Sequence, residues 1–425
     1  GEERGTGRMR CVFVLAVLAV LAVPLVAADW EVLQVIQLSR HGDRGPIRLF
    51  PLFFNQSSLW PLGLEQLTAQ GMNQTSRVGM STRARYMTDL NFLSPQWDYQ
   101  HFFARASPID RCLMSCQSII YGLYPLGTGP ANGDPQRFQP VPIYTVPLSE
   151  AIMLRPWTLC PRWQQVLDTV VYQTPEFKQK EAENADLFEE ISRAIGAPVK
   201  LSEIYVVYDA FATSIAHNYP LPVSPDKVQK FMEVSQWAIY QTYASEPVLP
   251  LLTSNFFAEV TKLLTEENSN GNFHMFAAHD TTVLPMGGAL GVIDKDVVPP
   301  YASALTIEEI MDTTTRAVYV QVFYNGYDKG PVPLPWCQGR TQCPLHEFLD
   351  FLQKYTMPDW NSVCDYQQPP KEDSNSLTTL NIILISVSSV LAAASIILLI
   401  ITIVLARRKS GYKGINSGME YPQTV

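Results

Sequence analysis

Several signatures of common enzyme classes are missing from this 425-residue chain. Its six histidines do not fall at metal-ligand spacing, and it has neither an HExxH motif nor paired CxxC motifs, so we expect no metal site. A P-loop and a G-x-S-x-G elbow are also absent, which excludes the usual nucleotide-binding and serine-hydrolase patterns. The formal net charge of −9 leaves no broad basic surface, so nucleic acid is not an expected partner.

The N-terminal part of the chain contains a long apolar run. Met9 precedes an apolar segment over 11–26, which ends in the small residues that signal peptidase requires. We predict a signal peptide over 9–28. The mature chain then begins near Asp29, and the residues before Met9 are upstream sequence.

A second uncharged run lies towards the other end. Residues 377–406 contain no charge, are long enough to span a bilayer, and are followed at once by three basic residues. We predict a linker over 366–380, a single transmembrane helix over 381–406 and a cytosolic tail over 407–425. This is the plan of a type I membrane protein with most of its mass in a lumen. A buried core helix is the alternative.

Cysteine is scarce, and one of the seven, Cys11, falls in the predicted signal peptide. The other six form an even number in a chain predicted to enter an oxidising lumen, which suggests disulfides without fixing their connectivity. Asn55 and Asn73 begin N-x-S/T sequons, so we predict both as glycosylation sites.

Three short apolar runs each lead into polar residues suited to catalysis. The runs are 32–38, 101–104 and 273–277, followed respectively by Arg40 and His41, by Arg105, and by His279 and Asp280. Continuous apolar runs of this length are typical of strands buried on both faces of a sheet. Because ligands of open α/β sheets bind at the carboxyl ends of strands, we predict an α/β domain in which these residues converge on one site.

The middle of the chain has a different pattern. After a Pro- and Gly-rich stretch over 125–142, residues 162–243 carry mostly helical periodicity, and no run there ends in a candidate catalytic residue. We predict a helical cap over 131–256, inserted into a discontinuous α/β domain formed by 29–130 and 257–365. An irregular outer layer of the same domain is the alternative.

His41 lies between Arg40 and Arg44 in the sequence. Guanidinium groups bind phosphate in a planar, bidentate way, and buried like charges are costly unless an anion joins them. Nearby positive charge disfavours the imidazolium form, so His41 is expected to stay neutral and nucleophilic even in acid. We interpret His41 as a nucleophile that accepts a phosphoryl group; a structural histidine is the alternative.

The pair His279 and Asp280 is the second candidate constellation. His279 is suited to donate a hydrogen bond to a phosphoryl oxygen, and Asp280 to protonate the departing alcohol as a general acid. Arg105 is distant in sequence, and an ordinary surface arginine is its alternative interpretation.

Together these motifs resemble the histidine acid phosphatase family, and within it the membrane-anchored lysosomal and prostatic type. Residues 40–46 fit the RHGxRxP signature of the family, and 278–282 match its distal block. Residues 60–71 are similar to a second block, and 104–111 look like the block usually written RSTDxDR, with substitutions.

The resemblance implies a role for each candidate residue. His41 becomes the phosphohistidine nucleophile and Asp280 the proton donor. Phosphate is then bound by four residues, namely Arg40, Arg44, Arg105 and His279. The implied fold is a three-layer α/β domain of the phosphoglycerate-mutase type, with a mostly parallel central sheet and an inserted helical cap. Catalysis needs no cofactor, and the protein is commonly a homodimer.

The resemblance also bears on the cysteines. Two of the family's disulfides are implied, Cys160–Cys364 and Cys337–Cys343, whereas Ala304 stands where a third bridge has a cysteine. We expect the remaining Cys112 and Cys116 to be free buried thiols, and an unusual local pair between them is the alternative.

The C-terminal tail contains a pattern that bears on where the protein is delivered in the cell. Tyr412 and Ile415 form a Tyr-x-x-bulky pattern of the kind that clathrin adaptors recognise, which favours lysosome or endosome over plasma membrane. The expected activity is hydrolysis of small phosphate monoesters at acidic pH in an endolysosomal or extracellular lumen. The alternatives are a phytase-like inositol-polyphosphate phosphatase and a non-catalytic lumenal sorting module that retains the fold.

Overall fold

The computed structural model describes residues 30–131, 136–265, 272–369 and 374–413. The chain divides into two compact units, the first ending at Gln368 and the second beginning at Pro369. The predicted signal peptide lies outside the described residues.

The first unit is built on a six-stranded sheet with the order β2-β3-β1-β4-β5-β6. The strands are β1 (Trp30–Arg40), β2 (Phe102–Ala106), β3 (Asn272–Ala278), β4 (Ala304–Asp312), β5 (Val318–Tyr324) and β6 (Cys343–Pro344). The three apolar runs singled out in the sequence are therefore β1, β2 and β3, which lie side by side.

The sheet is mixed, which corrects the expectation of a mostly parallel one. β2, β3 and β1 pair in parallel, whereas β1–β4, β4–β5 and β5–β6 are antiparallel. The cause lies in two connections. After β3 the chain returns to the carboxyl edge of β1, where the amide of Ala302 donates to the carbonyl of His41, so β4 starts at that edge and runs back. A tight turn in which the amide of Asp312 donates to the carbonyl of Ala317 then permits only an antiparallel partner.

Helices make up most of the remaining unit. In chain order they are α1 (Ala69–Arg83, continued by a π-helical segment Ala84–Asp89), α2 (Asp110–Leu123), α3 (Pro161–Thr169), α4 (Pro175–Glu183), α5 (Ala185–Ile195), α6 (Ile204–Ala216), α7 (Pro225–Ala244), α8 (Leu249–Thr265), α9 (Asp280–Leu290), α10 (Leu345–Gln353) and α11 (Trp360–Val363). Short 3₁₀ segments join several of them.

The sheet is the middle of three layers, because alternate strand residues face opposite cores. Val35 of β1 packs in a cluster with residues of α1 and α2, whereas Ile36 and Leu38 pack in a cluster with residues of α7, α8 and α9. Burial on both faces explains why β1 and β3 read as continuous apolar runs.

The predicted cap is mostly helical, and its predicted boundary at 256–257 falls inside α8. The larger apolar cluster runs without interruption from the cap helices to β1, and it joins Phe211 and Phe231 to Ile36 and Phe276. The division between 131–256 and the sheet-bearing parts therefore stays a prediction.

Two disulfides are present, Cys160–Cys364 and Cys337–Cys343, as the family resemblance implied. Cys112 and Cys116 are free and buried on α2.

The second unit contains one long helix, α12 (Ser374–Lys413). Its stretch Ile382–Arg408 is long and apolar enough to cross a membrane. The helix begins inside the predicted linker 366–380 and extends beyond 406, the predicted end of the membrane span.

Candidate active site

The parallel pairing of β1 and β3 sets two histidines side by side. Arg40 pairs with Ala278 in register, so His41 and His279 each follow the end of a strand at the same edge. The amide of His41 donates to the carbonyl of Ala278 at 2.9 Å, and the two imidazole centroids are 5.7 Å apart. Both rings are almost fully buried.

The loop after β1 packs directly on the first turn of α1. A Cβ on Gly71 would lie 2.1 Å from the carbonyl oxygen of Asp43, and one on Gly42 would lie 2.2 Å from the carbonyl oxygen of Gly71. Only glycine permits this approach at either position. Thr68, which caps α1, donates from its hydroxyl to the Asp43 carboxylate and fixes the loop further.

One hydrogen bond of the His41 ring shows which ring nitrogen carries the proton. Nδ1 lies 2.8 Å from the carbonyl oxygen of Gly42, and since a carbonyl only accepts, Nδ1 carries the proton. Nε2 is then unprotonated and makes no hydrogen bond within the described residues. Burial, followed by the charges of Arg111, Arg40 and Arg44, lowers the pKa of His41 well below its usual 6.5. The site therefore holds a neutral imidazole with a free nitrogen.

Two buried arginines flank His41, and each is held by a carboxylate. Arg40 Nη2 lies 2.8 Å from Asp280 Oδ2, and Arg44 Nη2 lies 2.7 Å from Asp209 Oδ1, with all four side chains less than a tenth exposed. Arg40 also stacks over the ring of Tyr301, 4.2 Å from its centroid. In each buried pair the carboxylate neutralises the arginine and holds its guanidinium in place. An anion that enters the site therefore competes with these carboxylates for guanidiniums that are already oriented.

His279 is the N-cap residue of α9. The amide of Thr282 donates to the backbone carbonyl of His279 at 3.1 Å, and the ring Nε2 of His279 lies 2.9 Å from Ser107 Oγ. Burial, followed by the charges of Arg111 and Arg155, lowers the pKa of His279 well below 6.5. A neutral imidazole in this position is suited to hydrogen-bond a phosphoryl oxygen.

Asp280 is the first residue of α9. Its carboxylate accepts from the hydroxyl of Tyr205 at 3.0 and 3.1 Å, from the amide of Thr281 at 2.8 Å and from Arg40. The carboxyl group thus faces the cluster that contains His41 and is held in one orientation.

The structure does not bring Arg105 to this cluster. Arg105 lies inside β2, and among the described residues it makes no contact with His41, His279 or Asp280. Burial lowers the pKa of its guanidinium, and the charge that opposes this effect is Glu259 on α8. Arg111, on the first turn of α2, takes the place we had assigned to Arg105: it is buried and contributes the largest charge effect on both histidines.

Several further residues of the site were not predicted. Asp209 accepts from Arg44 and from the amide of Ile47. It is the single acidic residue of the apolar helix α6, and this isolation could have identified it from the sequence as a buried residue with a specific partner. Asp43 accepts from His217 Nε2 at 2.7 Å, so it ties the loop to the end of α6. These contacts join different parts of the chain, and local sequence patterns do not show such partners.

The described residues contain a single His/Cys/Asp/Glu group close enough to surround a metal ion, formed by Cys337, Cys343 and Glu347. Its two cysteines are joined in a disulfide, so they offer no thiolate ligand. The group lies apart from His41 and His279 in the fold.

The predicted modification and sorting residues lie outside this site. Asn55 and Asn73 are both exposed, although Thr75 of the second sequon is buried and bonded to the carbonyl of Gly71 within α1. Tyr412 lies in the last turns of α12, and Ile415 is outside the described residues.

Comparison with known proteins places this site in a family. Residues 31–325 match the model of the histidine phosphatase superfamily (branch 2). The lysosomal acid phosphatase of Homo sapiens is 30% identical over 351 residues, which is 80% of this chain and 81% of that protein. The prostatic acid phosphatase of Homo sapiens is 30% identical over 340 residues, covering 76% of this chain and 86% of that protein.

Solved structures agree at the level of the fold. The phytase from Citrobacter braakii superposes with a TM-score of 0.60 at 14% identity, over 78% of this chain and 99% of that one. At this identity the likeness concerns architecture alone. The family match covers most of the chain. The chain therefore belongs to the histidine phosphatase superfamily (branch 2), a family of enzymes.

Proposed function

We propose that this protein hydrolyses phosphate monoesters at acidic pH, without a metal ion, through a phosphohistidine on His41. One observation carries the proposal: Nε2 of a neutral, immobilised imidazole makes no hydrogen bond to any residue that the structure describes, and it lies among the guanidiniums of Arg40, Arg44 and Arg111. A nucleophile beside fixed positive charge is what transfer of a phosphoryl group requires.

In the first step His41 Nε2 attacks phosphorus, an N–P bond forms and the P–O bond to the alcohol breaks. The guanidiniums and His279 stabilise the negative charge on the phosphoryl oxygens. Asp280, held at the edge of the cluster, gives its proton to the departing alkoxide, so the alcohol leaves neutral.

In the second step water attacks phosphorus and the N–P bond breaks. The Asp280 carboxylate takes a proton from the water, which regenerates the acid for the next cycle. His41 returns to its neutral form, with Nδ1 still donating to Gly42. No step requires a metal ion, because arginines supply the positive charge.

We infer an acidic lumen as the place of action. The lowered pKa of His41 keeps it nucleophilic at a pH where an ordinary imidazole is protonated. The apolar helix α12 and the predicted signal peptide support a single-pass type I arrangement with the site in the lumen, and the Tyr412 pattern supports delivery to lysosomes or endosomes through clathrin adaptors.

We also infer a homodimer that uses the edge of the sheet next to β2. β2 is a terminal strand of the sheet, and on its outer side Tyr144 donates from its amide to the carbonyl of Ala104 and accepts from the amide of Ala106. Tyr144 and Phe138 are more than half exposed there, and Phe103 stacks on Tyr144. An exposed aromatic surface at the side of the sheet is suited to packing against a second copy.

A phytase-like inositol-polyphosphate phosphatase remains the second candidate, since it would use the same nucleophile and acid. A non-catalytic sorting module is the third. The test is hydrolysis of p-nitrophenyl phosphate and of inositol hexakisphosphate near pH 5 by the full chain in detergent, with and without a chelator, beside its His41→Ala variant.

We expect turnover of the aryl phosphate that resists the chelator and disappears in H41A. No turnover by the wild type would contradict the enzyme proposal, and loss on chelation would contradict the metal-free mechanism. A strong preference for inositol hexakisphosphate would replace the first candidate by the second.

A further inference from the structure

A short segment before the Cys160 disulfide is fixed against the active site. The hydroxyl of Thr282, in the first turn of α9, donates to the carbonyl of Leu154 at 2.7 Å. The ring of Trp157 meets that of His279 edge to face, with centroids 5.6 Å apart. Leu154 and Pro156 are buried. Arg155 lies between Leu154 and Trp157, and the contacts of these two residues fix its backbone next to His279.

The guanidinium of Arg155 has no carboxylate partner. In the part of the chain that the structure describes, it makes no ion pair and no side-chain hydrogen bond, and its Nε is buried without a partner. Arg40, Arg44 and Arg111, in contrast, are paired with Asp280, Asp209 and Glu65. Arg155 is thus the arginine of this site without an ion pair, and the charge of Glu65, which is already paired with Arg111, offsets only part of the effect of burial and of Arg111 on its pKa.

Arg155 also faces charge of its own sign. Burial, followed by the charge of Arg111, lowers the pKa of its guanidinium, and Arg155 in turn acts on His279. An arginine stays protonated under such conditions, so the repulsion persists until an anion enters. Two guanidiniums that share the single carboxylate of Glu65 favour a ligand with extra negative charge.

We propose that Arg155 forms a second anion subsite next to the phosphate that reacts at His41, which selects substrates carrying a further phosphate or carboxylate close to the scissile group. This rests on the proposed function, because it assigns the class of substrate for the same site. Arg155 binds the second anion and takes no part in the transfer step. Substrates with an uncharged alcohol then use the site without this contact.

The experiment measures binding and turnover separately. Calorimetry on the full chain in detergent compares methylenebisphosphonate, which carries two anionic groups and is not hydrolysed, with methylphosphonate, which carries one. The variants are Arg155→Gln, Arg155→Lys and, as a control for loss of one positive charge, Arg193→Gln on an exposed face of α5. Turnover of p-nitrophenyl phosphate is followed in parallel.

We expect R155Q to weaken methylenebisphosphonate about 10- to 100-fold, the value of one charge-assisted hydrogen bond, and to change methylphosphonate less than about 3-fold. R155K should retain most of the affinity, and R193Q all of it. Equal weakening of both ligands, or no change for either, would overturn the subsite. If the wild type binds both ligands but turns over no aryl phosphate, the proposed function fails while the subsite stands on the binding data.

Discussion

At the scale of single residues, the charges around His41 govern how the site responds to pH. Burial and three arginines lower its pKa, so as the pH falls through 6.5 the ring in the folded protein stays neutral while that of the unfolded chain takes up a proton. Protonation near this pH therefore favours the unfolded state. The folded protein thus keeps His41, the proposed nucleophile, neutral in acid and loses some stability there.

Arg111 offers a direct test of this electrostatic account. After burial, its charge is the largest contribution that lowers the pKa of His41, so Arg111→Gln should raise that pKa. In the pH–rate profile for p-nitrophenyl phosphate, the decline of kcat/KM on the acidic side (the acid limb) should move to higher pH. The maximum value of kcat/KM should also fall. The pH–rate profile measures both effects. Arg193→Gln, which removes an exposed charge, should leave the limb in place, and an unmoved limb in R111Q would contradict the account.

The residue scale also shows where sequence reasoning was sufficient. His41, His279 and Asp280 were predicted because each follows the end of an apolar strand, and the structure brings these three together. Arg105 lies within its strand, where alternation turns it towards Glu259. The histidines were found by taking the residues that follow the end of a strand. Applied to β2, the same rule selects the segment after Ala106, which contains Arg111.

At the scale of secondary-structure elements, the contact between the loop after β1 and helix α1 is the most constrained feature of the site. Gly71 lies in the first turn of α1 and Gly42 lies in the loop, each against the backbone of the other. The atoms in the way are backbone atoms, which cannot rotate aside as a side chain does. The position of His41 thus depends on the first turn of a helix that carries no catalytic residue.

Gly71→Ala should therefore be harmful even though it improves helix propensity. Alanine in a helix interior is favoured over glycine by about 1 kcal/mol, but here its Cβ would lie 2.1 Å from the carbonyl oxygen of Asp43. We expect lower kcat and a lower midpoint of thermal unfolding, measured by aryl phosphate turnover and by circular dichroism. Gln70→Ala, at the neighbouring exposed position, is the control. A more stable and fully active G71A would show that the loop is free to shift.

The sequence predicts which segments form strands better than it predicts the direction in which each strand runs. β1, β2 and β3 were predicted from apolar runs because burial on both faces leaves a local pattern. The antiparallel direction of β4 depends on the return of the chain to His41 through Ala302, which is a contact between distant segments. No local pattern encodes such a contact, so the expectation of a mostly parallel sheet was wrong for β4, β5 and β6.

At the scale of the whole molecule, the two disulfides close loops of very different length. Cys160–Cys364 joins residues separated by 204 positions, and Cys337–Cys343 joins residues separated by 6. The longer bond connects the segment beside the active site to the end of the globular unit. In the chain-entropy model, the bond that closes the longer loop restricts the unfolded state more.

Removing the long-range bond should cost more than removing the short one. We expect Cys160→Ala with Cys364→Ala to lower the free energy of unfolding by about 5 kcal/mol, and Cys337→Ala with Cys343→Ala by about 2 kcal/mol. Urea unfolding of the oxidised full chain in detergent, followed by tryptophan fluorescence, gives both values. Equal losses would mean that native packing around each bond outweighs loop entropy.

The position of β1 in the middle of the sheet has a consequence for biosynthesis. β1 is made first, yet both strands that flank it, β3 and β4, are made only in the second half of the chain. During translation its apolar residues have no partner until most of the polypeptide has emerged, and contacts so distant in sequence form slowly. Nascent chains of this protein are thus predisposed to depend on chaperones, and truncation before β4 would leave an open strand that invites aggregation.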